Sequence, residues 1–168
     1  MAEPNLQLFT EAQLPELMSW IGSRVQGQQW GGPTFRYPFD AETFAEDTRW
    51  RELPSFALQG AGGQLLAFGQ YYERLQRCHL GRLIVAPEQR GRGWGSALIT
   101  QLVARGCAEL GVSECSLFVL KDNAPARALY RRLGFEYADY PERYDWTHLI
   151  DYMVAPRDIA TGRDCSPH

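Results

Sequence analysis

Residues 81–96 read Gly-Arg-Leu-Ile-Val-Ala-Pro-Glu-Gln-Arg-Gly-Arg-Gly-Trp-Gly-Ser. An apolar strand pattern at Leu83–Val85 is followed by the alternating glycines Gly91, Gly93 and Gly95, and then by a long amphipathic helix pattern. Glycine tolerates positive φ angles and lets the backbone come close to a ligand, and the first N–H groups of a helix have no partner within the helix. Because the helix dipole is positive at this end, the pattern predicts a turn that binds a phosphate or pyrophosphate.

Two common phosphate-binding turns are disfavoured by the residues around these glycines. A Walker loop needs a lysine directly after its last glycine, but the only lysine of the chain is Lys121. A dinucleotide-binding turn needs a third glycine where Ser96 stands. The turn instead fits the pattern Arg/Gln-x-x-Gly-x-Gly/Ala, with Arg90, Gly93 and Gly95 at its specified positions. A glycine-rich turn that merely connects a strand to a helix is the alternative.

A second pattern, Asn-x-x-Ala-x-x-Leu-Tyr-x-x-x-Gly-Phe, runs from Asn123 to Phe135. Asn123 is a good helix cap, Pro125 falls in the first helical turn, and Gly134 ends the helix. The two patterns together resemble motifs A and B of the GNAT superfamily of N-acetyltransferases. The resemblance covers residues 55–140, about half of the chain.

The resemblance implies an α/β fold with a mixed central sheet of six to seven strands and helices on both faces. We expect a single domain over residues 1–157 and a loose tail over 158–168. Before the sheet, the periodicity predicts a helix from Glu11 to about Arg24 and an irregular, aromatic segment over 26–39. The predicted strands are Leu6–Phe9, Ser55–Gln59, Gln64–Glu73, Cys78–Val85, Ser113–Leu120, Phe135–Tyr140 and His148–Val154. A long helix is predicted at Trp94–Leu110.

Charge is unevenly distributed along the chain. The net charge is −3, yet residues 74–132 carry a local excess of six positive charges. A polyanionic ligand held by the middle of the chain, with an acidic surround that faces a cationic second substrate, accounts for this asymmetry. A nucleic-acid partner is not expected, because such proteins are ordinarily basic as a whole.

The sequence also argues against membranes, metals and disulfides. No apolar run approaches the roughly 20 residues of a membrane span, and the N-terminus has no secretory pattern, so we expect a cytoplasmic protein. The four cysteines form no Cys-x-x-Cys pair and have no histidine at ligand spacing, which disfavours a metal site and a disulfide framework. We expect a monomer or a homodimer.

The resemblance implies an activity as well. It implies that an acetyl group passes from acetyl-coenzyme A (acetyl-CoA), as co-substrate, to a primary amine by direct attack within a ternary complex. The acceptor is then a small-molecule or peptide amine, which the sequence does not name. A non-catalytic acyl-CoA sensor that keeps the turn but lacks turnover is the alternative from another class.

The family pattern also assigns roles to residues of this chain. The pantetheine arm is expected along Leu83–Val85, with the N–H of Val85 at the thioester carbonyl. Tyr130 matches a general acid for the coenzyme A sulfur, and Asn123 matches a position that contacts pantetheine; ring packing and plain helix capping are the alternatives. The residues assigned to coenzyme binding are Leu83, Ile84, Val85, Arg90, Gly91, Arg92, Gly93, Trp94, Gly95, Ser96, Asn123 and Tyr130.

The general base and the acceptor site are the remaining expectations. Glu73 is the first candidate for the base and His79 the second, although the amine can also lose its proton through water. The coenzyme arm is expected to enter from the side of the two motifs, so the amine approaches from the opposite side. Aromatic rings and carboxylates there suit a cationic acceptor with an apolar body; rings that only cover a core are the alternative. The expected acceptor residues are Trp30, Tyr37, Tyr72 and Glu73, in segments that also hold Phe35, Phe39, Tyr71, Glu142 and Asp145.

Overall fold

The computed structural model describes residues 4–161. Within them, seven strands form one mixed sheet in the order β1-β2-β3-β4-β5-β7-β6, which confirms the predicted α/β fold with its six to seven strands. The strands are β1 Asn5–Leu8, β2 Ser55–Gln59, β3 Leu65–Arg74, β4 Arg77–Val85, β5 Glu114–Leu120, β6 Glu136–Ala138 and β7 Ile150–Pro156. The α-helices are α1 Leu14–Ser19, α2 Arg24–Gly31, α3 Ala41–Thr48, α4 Trp94–Leu110 and α5 Ala124–Leu133.

Both antiparallel and parallel pairings occur in the sheet. β1, β2 and β3 pair antiparallel as neighbours. β4 and β5 are joined through α4 and pair parallel, with Cys78 opposite Cys115 and Leu80 opposite Leu117, as a strand–helix–strand crossover requires. β7 then pairs antiparallel with both β5 and β6.

The chain is divided into two compact units. The first unit holds residues up to Tyr71 together with Gly81–Leu98, and the second holds Tyr72–Leu80 together with the residues from Ile99 onward. The core of the first unit consists of Phe9, Leu14, Leu17, Trp20, Ile21, Trp30, Phe35, Phe44, Ala57, Leu65, Phe68 and Ala86. Buried residues of the second unit include Leu102, Val103, Cys107, Cys115, Leu117, Val119, Phe135, Tyr152 and Met153.

The N-terminal helix prediction is wrong in extent. A short 3-10 helix at Glu11–Gln13 leads into α1, which ends at Ser19, and a separate helix α2 occupies Arg24–Gly31. The break occurs because Ser23 adopts an extended conformation and its hydroxyl accepts a hydrogen bond from the N–H of Gln26, as an N-cap does. α2 also fills part of the segment that was predicted to be irregular.

Side-chain caps also mark the starts of α3 and α5. The Asp40 carboxylate accepts from Thr43 N at 2.9 Å and caps α3. At α5, Asn123 caps the N-terminus and Gly134 ends the helix at φ 111°.

Further sequence expectations concern the thiols, metals, membranes and the tail. Cys78, Cys107 and Cys115 are buried free thiols, while Cys165 lies outside the described residues. Residues 4–161 contain no group of three histidine, cysteine, aspartate or glutamate side chains that could hold a metal, and none of their helices has the length and apolarity of a membrane span. The predicted tail begins within a 3-10 helix, Arg157–Thr161, and its remainder, 162–168, lies outside the described part of the chain.

Candidate active site

The glycine turn between β4 and α4 has the backbone conformation that an anion site needs. Gly91 and Gly93 have φ angles of 79° and 86°, a left-handed region that side chains with a Cβ rarely adopt. A Cβ added at either position would meet no atom within 4 Å. These glycines are therefore required by the turn and not by packing, and the space above them is open to a ligand. Gly95 and Ser96 follow in the first turn of α4, where N–H groups lack helical partners.

The polar side chains of the turn bond mainly to one another. The Gln89 side-chain oxygen accepts from Arg92 Nη1 and from Trp94 Nε1, each at 3.3 Å. Arg90 Nε donates to the Val85 carbonyl at 3.2 Å. Arg90 and Arg92 are both exposed, so the turn presents two positive charges next to the helix N-terminus. Such an arrangement suits an anionic group such as a pyrophosphate.

The strand before the turn is held in place by an unexpected set of contacts. Arg82 has a φ angle of 50°, and its carbonyl accepts from Trp30 Nε1 at 2.8 Å. The Arg82 guanidinium donates to Gln70 Oε1 at 3.0 Å and to the Asp47 carbonyl at 2.8 Å. Ile84 packs on the core of the first unit. Since side chains alternate along a strand, Leu83 and Val85 project from the other face.

Trp30 and Tyr37 are placed as core residues rather than as an open acceptor surface. Trp30 is 9 % exposed and stacks on Phe44 at a ring distance of 5.5 Å. Tyr37 is half-buried and packs against the same core, with its ring 5.6 Å from that of Phe39. The structure therefore favours the covering role for both rings, and the expectation that Trp30 faces the acceptor is corrected.

Tyr130 in the second unit has the properties of a proton donor. Its side chain is half-buried, and burial raises the pKa of Tyr130 to about 12, so the phenol keeps its proton at neutral pH. Within residues 4–161 its hydroxyl has no hydrogen-bond partner, whereas its ring lies 6.1 Å from Phe135. Proton donation and ring packing are compatible in this geometry.

Asn123 acts as a helix cap in this structure. Its Oδ1 accepts from Ala126 N at 3.3 Å, which leaves the two N–H groups of the side-chain amide outside the cap interaction. The capping alternative is therefore observed, and a contact to pantetheine stays a prediction.

The two candidate bases differ in their surroundings. His79 is buried, and its Nδ1 lies 2.8 Å from the Ser116 hydroxyl. Burial, with a smaller contribution from the charge of Arg74, lowers the pKa of His79 to about 3. Such a weak base cannot take a proton efficiently near neutral pH, so the expectation for His79 is corrected. Glu73 is exposed at the β3–β4 turn and accepts from Gln76 N at 2.8 Å.

Tyr72 belongs to a polar aromatic cluster that the sequence reasoning missed. The Arg74 guanidinium donates to Tyr140 Oη at 2.7 Å and to Tyr72 Oη at 3.2 Å, and lies 5.2 Å from the centre of the Phe118 ring. Tyr140 in turn donates to Glu142 at 3.1 Å. The Tyr-x-Arg spacing on β3 was the available signal, because residues two apart share one face of a strand. The end of β3 and Glu142, which the sequence analysis both assigned to the acceptor side, are therefore connected through Tyr140 within the second unit.

The chain thus has an α/β fold, and the glycine turn before α4 has the backbone conformation that an anion site needs. Residues 25–135, more than half of the chain, match the model of the acetyltransferase (GNAT) family, and the chain belongs to this family.

Curated relatives are similar to parts of the chain. The mycothiol acetyltransferase of Corynebacterium jeikeium is 50 % identical over 52 residues, which cover 31 % of this chain and 15 % of that protein. The mycothiol acetyltransferase of Pseudarthrobacter chlorophenolicus is 35 % identical over 104 residues, which cover 56 % and 31 %. The chain thus spans less than a third of the length of either relative.

Solved structures are similar over nearly the whole chain. The spermidine N-acetyltransferase from Vibrio cholerae, in complex with CoA and spermine, superposes with a TM-score of 0.71 at 17 % identity, covering 94 % of this chain and 98 % of that one. The ribosomal-protein-S18-alanine N-acetyltransferase from Escherichia coli gives a TM-score of 0.61 at 25 % identity, covering 92 % and 94 %. At 17 % identity, the first likeness concerns the fold.

Proposed function

We propose that this protein is an N-acetyltransferase that moves the acetyl group of acetyl-CoA to a primary amine by direct attack in a ternary complex. The observation that carries the proposal is the glycine turn. Gly91 and Gly93 have left-handed backbone conformations just before α4, and the space that their side chains would fill is open. The chain belongs to the GNAT family. The residues proposed to hold acetyl-CoA are Leu83–Val85, residues 90–96 and Asn123.

The proposed reaction follows from the thioester and the amine. The lone pair of a neutral amine forms a bond to the thioester carbonyl carbon, and the carbon–sulfur bond breaks. A backbone N–H at the end of β4, proposed as that of Val85, stabilises the negative charge that develops on the carbonyl oxygen. The departing sulfur takes a proton, and the amine nitrogen loses one.

Tyr130 is proposed to supply the proton to the sulfur. Its raised pKa, about 12, keeps the phenol protonated, and its hydroxyl is not committed to another group within the described residues. On the amine side, Glu73 remains the candidate base, with transfer to water as the alternative route.

The cellular setting is part of the proposal. Cys78, Cys107 and Cys115 are free thiols, which suits the reducing conditions of the cytoplasm. We propose a cytoplasmic enzyme that acts as a monomer or homodimer on a small-molecule or peptide amine.

Gly93→Val is the direct test of the coenzyme site. The valine side chain would fill the space above the turn and resist a positive φ, so we expect the KM for acetyl-CoA to rise at least about 100-fold. Gly62→Val is the matched control, because Gly62 also has a positive φ, 74°, and open space at its Cβ, but lies in the β2–β3 turn. Equal coenzyme affinity of the two variants, measured by calorimetry, would place the pyrophosphate elsewhere.

Thiol release against a panel of amines separates the enzyme from the sensor. An enzyme releases coenzyme A in proportion to acetylated amine. Tight binding of acetyl-CoA without thiol release for any amine would instead favour the non-catalytic sensor.

Tyr130→Phe tests the proposed acid. The ring and its contact with Phe135 remain while the proton is lost, so kcat should fall about 10²–10⁴-fold with little change in coenzyme affinity. Because the pKa of Tyr130 is about 12, the wild-type kcat should show no alkaline loss from this group below about pH 11. Tyr137→Phe, at an exposed tyrosine of the same unit, is the control. A kcat equal to that of the wild type would assign Tyr130 to packing alone.

A further inference from the structure

Arg74, at the end of β3, lies among aromatic rings of the second unit. Its guanidinium carbon is 5.4 Å from the centre of the Tyr72 ring and 5.2 Å from that of Phe118. Its two terminal nitrogens donate to Tyr140 Oη at 2.7 Å and to Tyr72 Oη at 3.2 Å. The guanidinium of Arg74 therefore occupies the place over these rings that a bound cation would take.

The charge of Arg74 is not neutralised within the described residues. Both of its hydrogen-bond acceptors are phenols, and no ion pair joins it to a carboxylate of residues 4–161. Arg77, three residues on, shows the contrast, because its Nε meets Glu114 at 2.8 Å. Glu142 reaches Arg74 only through the Tyr140 hydroxyl, to which it is bound at 3.1 Å.

Arg74 also keeps one donor without a partner. Its Nε is buried and makes no hydrogen bond in the structure. An unsatisfied buried donor is costly, more so in a charged group. Each terminal nitrogen also keeps a second N–H beside the one that it donates to a phenol. Guanidinium and carboxylate form short, charge-assisted and often bidentate pairs, so these N–H groups suit a carboxylate.

We propose that Arg74 binds a carboxylate of the acceptor, so that the acceptor is of the amino-acid type and carries its amine and a carboxylate in one molecule. The inference rests on the proposed function and names the substrate class of that reaction. It differs from the cationic acceptor expected from the sequence, because a cation at these rings would meet the like charge of Arg74.

If Arg74 had a purely structural role, its replacement would have a different effect on the acceptors. As a tie between the end of β3 and Tyr140, the arginine would affect all acceptors alike, whether or not they carry a carboxylate. Matched acceptors that differ only in this group separate the two roles.

The experiment compares the free L-amino acids with their C-terminal amides and with spermidine, followed by thiol release. We expect wild-type kcat/KM to be at least about 10-fold higher for the preferred amino acid than for its amide. Arg74→Gln should raise the KM for that amino acid about 10- to 100-fold, the effect of losing hydrogen bonds to a charged group. The KM for its amide and for acetyl-CoA should change less than about 3-fold.

Two further variants serve as controls. Arg77→Gln removes a neighbouring arginine that already has a carboxylate partner, and should leave the preference for the carboxylate unchanged. Arg74→Lys keeps the charge and loses the planar fork, so it should restore part of the preference. The proposal is overturned if amides or spermidine are preferred by the wild type, or if Arg74→Gln changes the acid and the amide equally.

Failure of the proposed function would be visible separately. If no amine of the panel gives thiol release, the enzyme proposal fails. The role of Arg74 can then still be tested by calorimetry, which measures the binding of amino acids and of their amides. Amino acids titrated into protein saturated with coenzyme A should bind more tightly than their amides, and Arg74→Gln should abolish the difference. Equal binding of acid and amide by the wild type would overturn the carboxylate site.

Discussion

Each unit of the molecule contains a cluster of aromatic rings, and the two clusters differ in their polar groups. In the first unit the rings pack on one another inside the core; they are Trp30, Phe35, Phe39, Phe44 and Phe68. In the second unit three rings contact Arg74, and two of them carry hydroxyls; they are Tyr72, Phe118 and Tyr140. Trp146 packs on Phe118, and Tyr144 stacks on Trp146. The sequence placed members of both clusters at the acceptor site. The groups that contact a ring, rather than its presence in a loop, therefore indicate whether the ring covers a core or is placed to meet a ligand.

Phe44→Ala should have the largest effect on stability. Phe44 is fully buried among the rings of the first unit, so its truncation should lower the free energy of unfolding by about 3–5 kcal/mol. The matched change in the second unit, Tyr144→Ala, removes a ring that is 50 % exposed and should cost about 1 kcal/mol or less. Urea denaturation measures both, and similar losses would contradict the distinction between the clusters.

His79 should make the second unit sensitive to acid. The imidazole packs edge-on against Phe118 at 4.5 Å and has a folded-state pKa of about 3, against about 6.5 when unfolded. Between these values the unfolded chain binds the extra proton, so stability is present near pH 7 and is lost as the pH falls. The loss from pH 7 to pH 5 should be about 2 kcal/mol.

The variant His79→Gln identifies the source of this acid sensitivity. Glutamine does not titrate in this range, so the variant should lose less stability between pH 7 and pH 5 than the wild type, whatever its stability at pH 7. Parallel profiles of the two proteins would show that His79 is not the group responsible.

Trp30→Phe should have the smallest of these effects. The substitution keeps a ring in the first cluster but leaves the Arg82 carbonyl without its donor, at a cost of about 1–2 kcal/mol. We also expect a KM for acetyl-CoA raised about 3-fold, because Arg82 precedes the strand residues proposed to hold pantetheine. Trp50→Phe is the control, since the buried Nε1 of Trp50 has no hydrogen-bond partner in the structure. If both variants lose the same stability and neither changes the KM, the hydrogen bond to Arg82 has no positioning role.

Regular elements were predictable wherever the signal was local. The helix Trp94–Leu110 has the predicted bounds, and β2 coincides with Ser55–Gln59. The helix pattern near the N-terminus failed because apolar spacing continued through Gly22 and Ser23 while the Ser23 cap started a new helix. In that segment a capping hydroxyl, rather than the hydrophobic period, determined where the helix began.

The candidate site likewise has one part that local sequence predicted and one part that it did not. The glycine turn could be located from spacing, because left-handed backbone at a helix N-terminus is a local property of Gly91 and Gly93. The partners of Arg74 could not, because Tyr140 lies 66 positions away in the chain and meets it only through the pairing of strands. Likewise, nothing near Trp30 in the sequence indicates its bond to Arg82, 52 positions later.

The sequence by itself determined the family, the α/β fold and the position of the turn that suits a pyrophosphate. These follow from short patterns of glycine, caps and alternating apolar residues, in which each residue acts on its immediate neighbours along the chain. The tertiary structure alone decided that Trp30 is buried, that His79 is a desolvated imidazole and that Arg74 lies among phenols, with no carboxylate partner among residues 4–161. Burial, pKa and charge pairing depend on atoms brought together from distant parts of the chain, so no local pattern contains them.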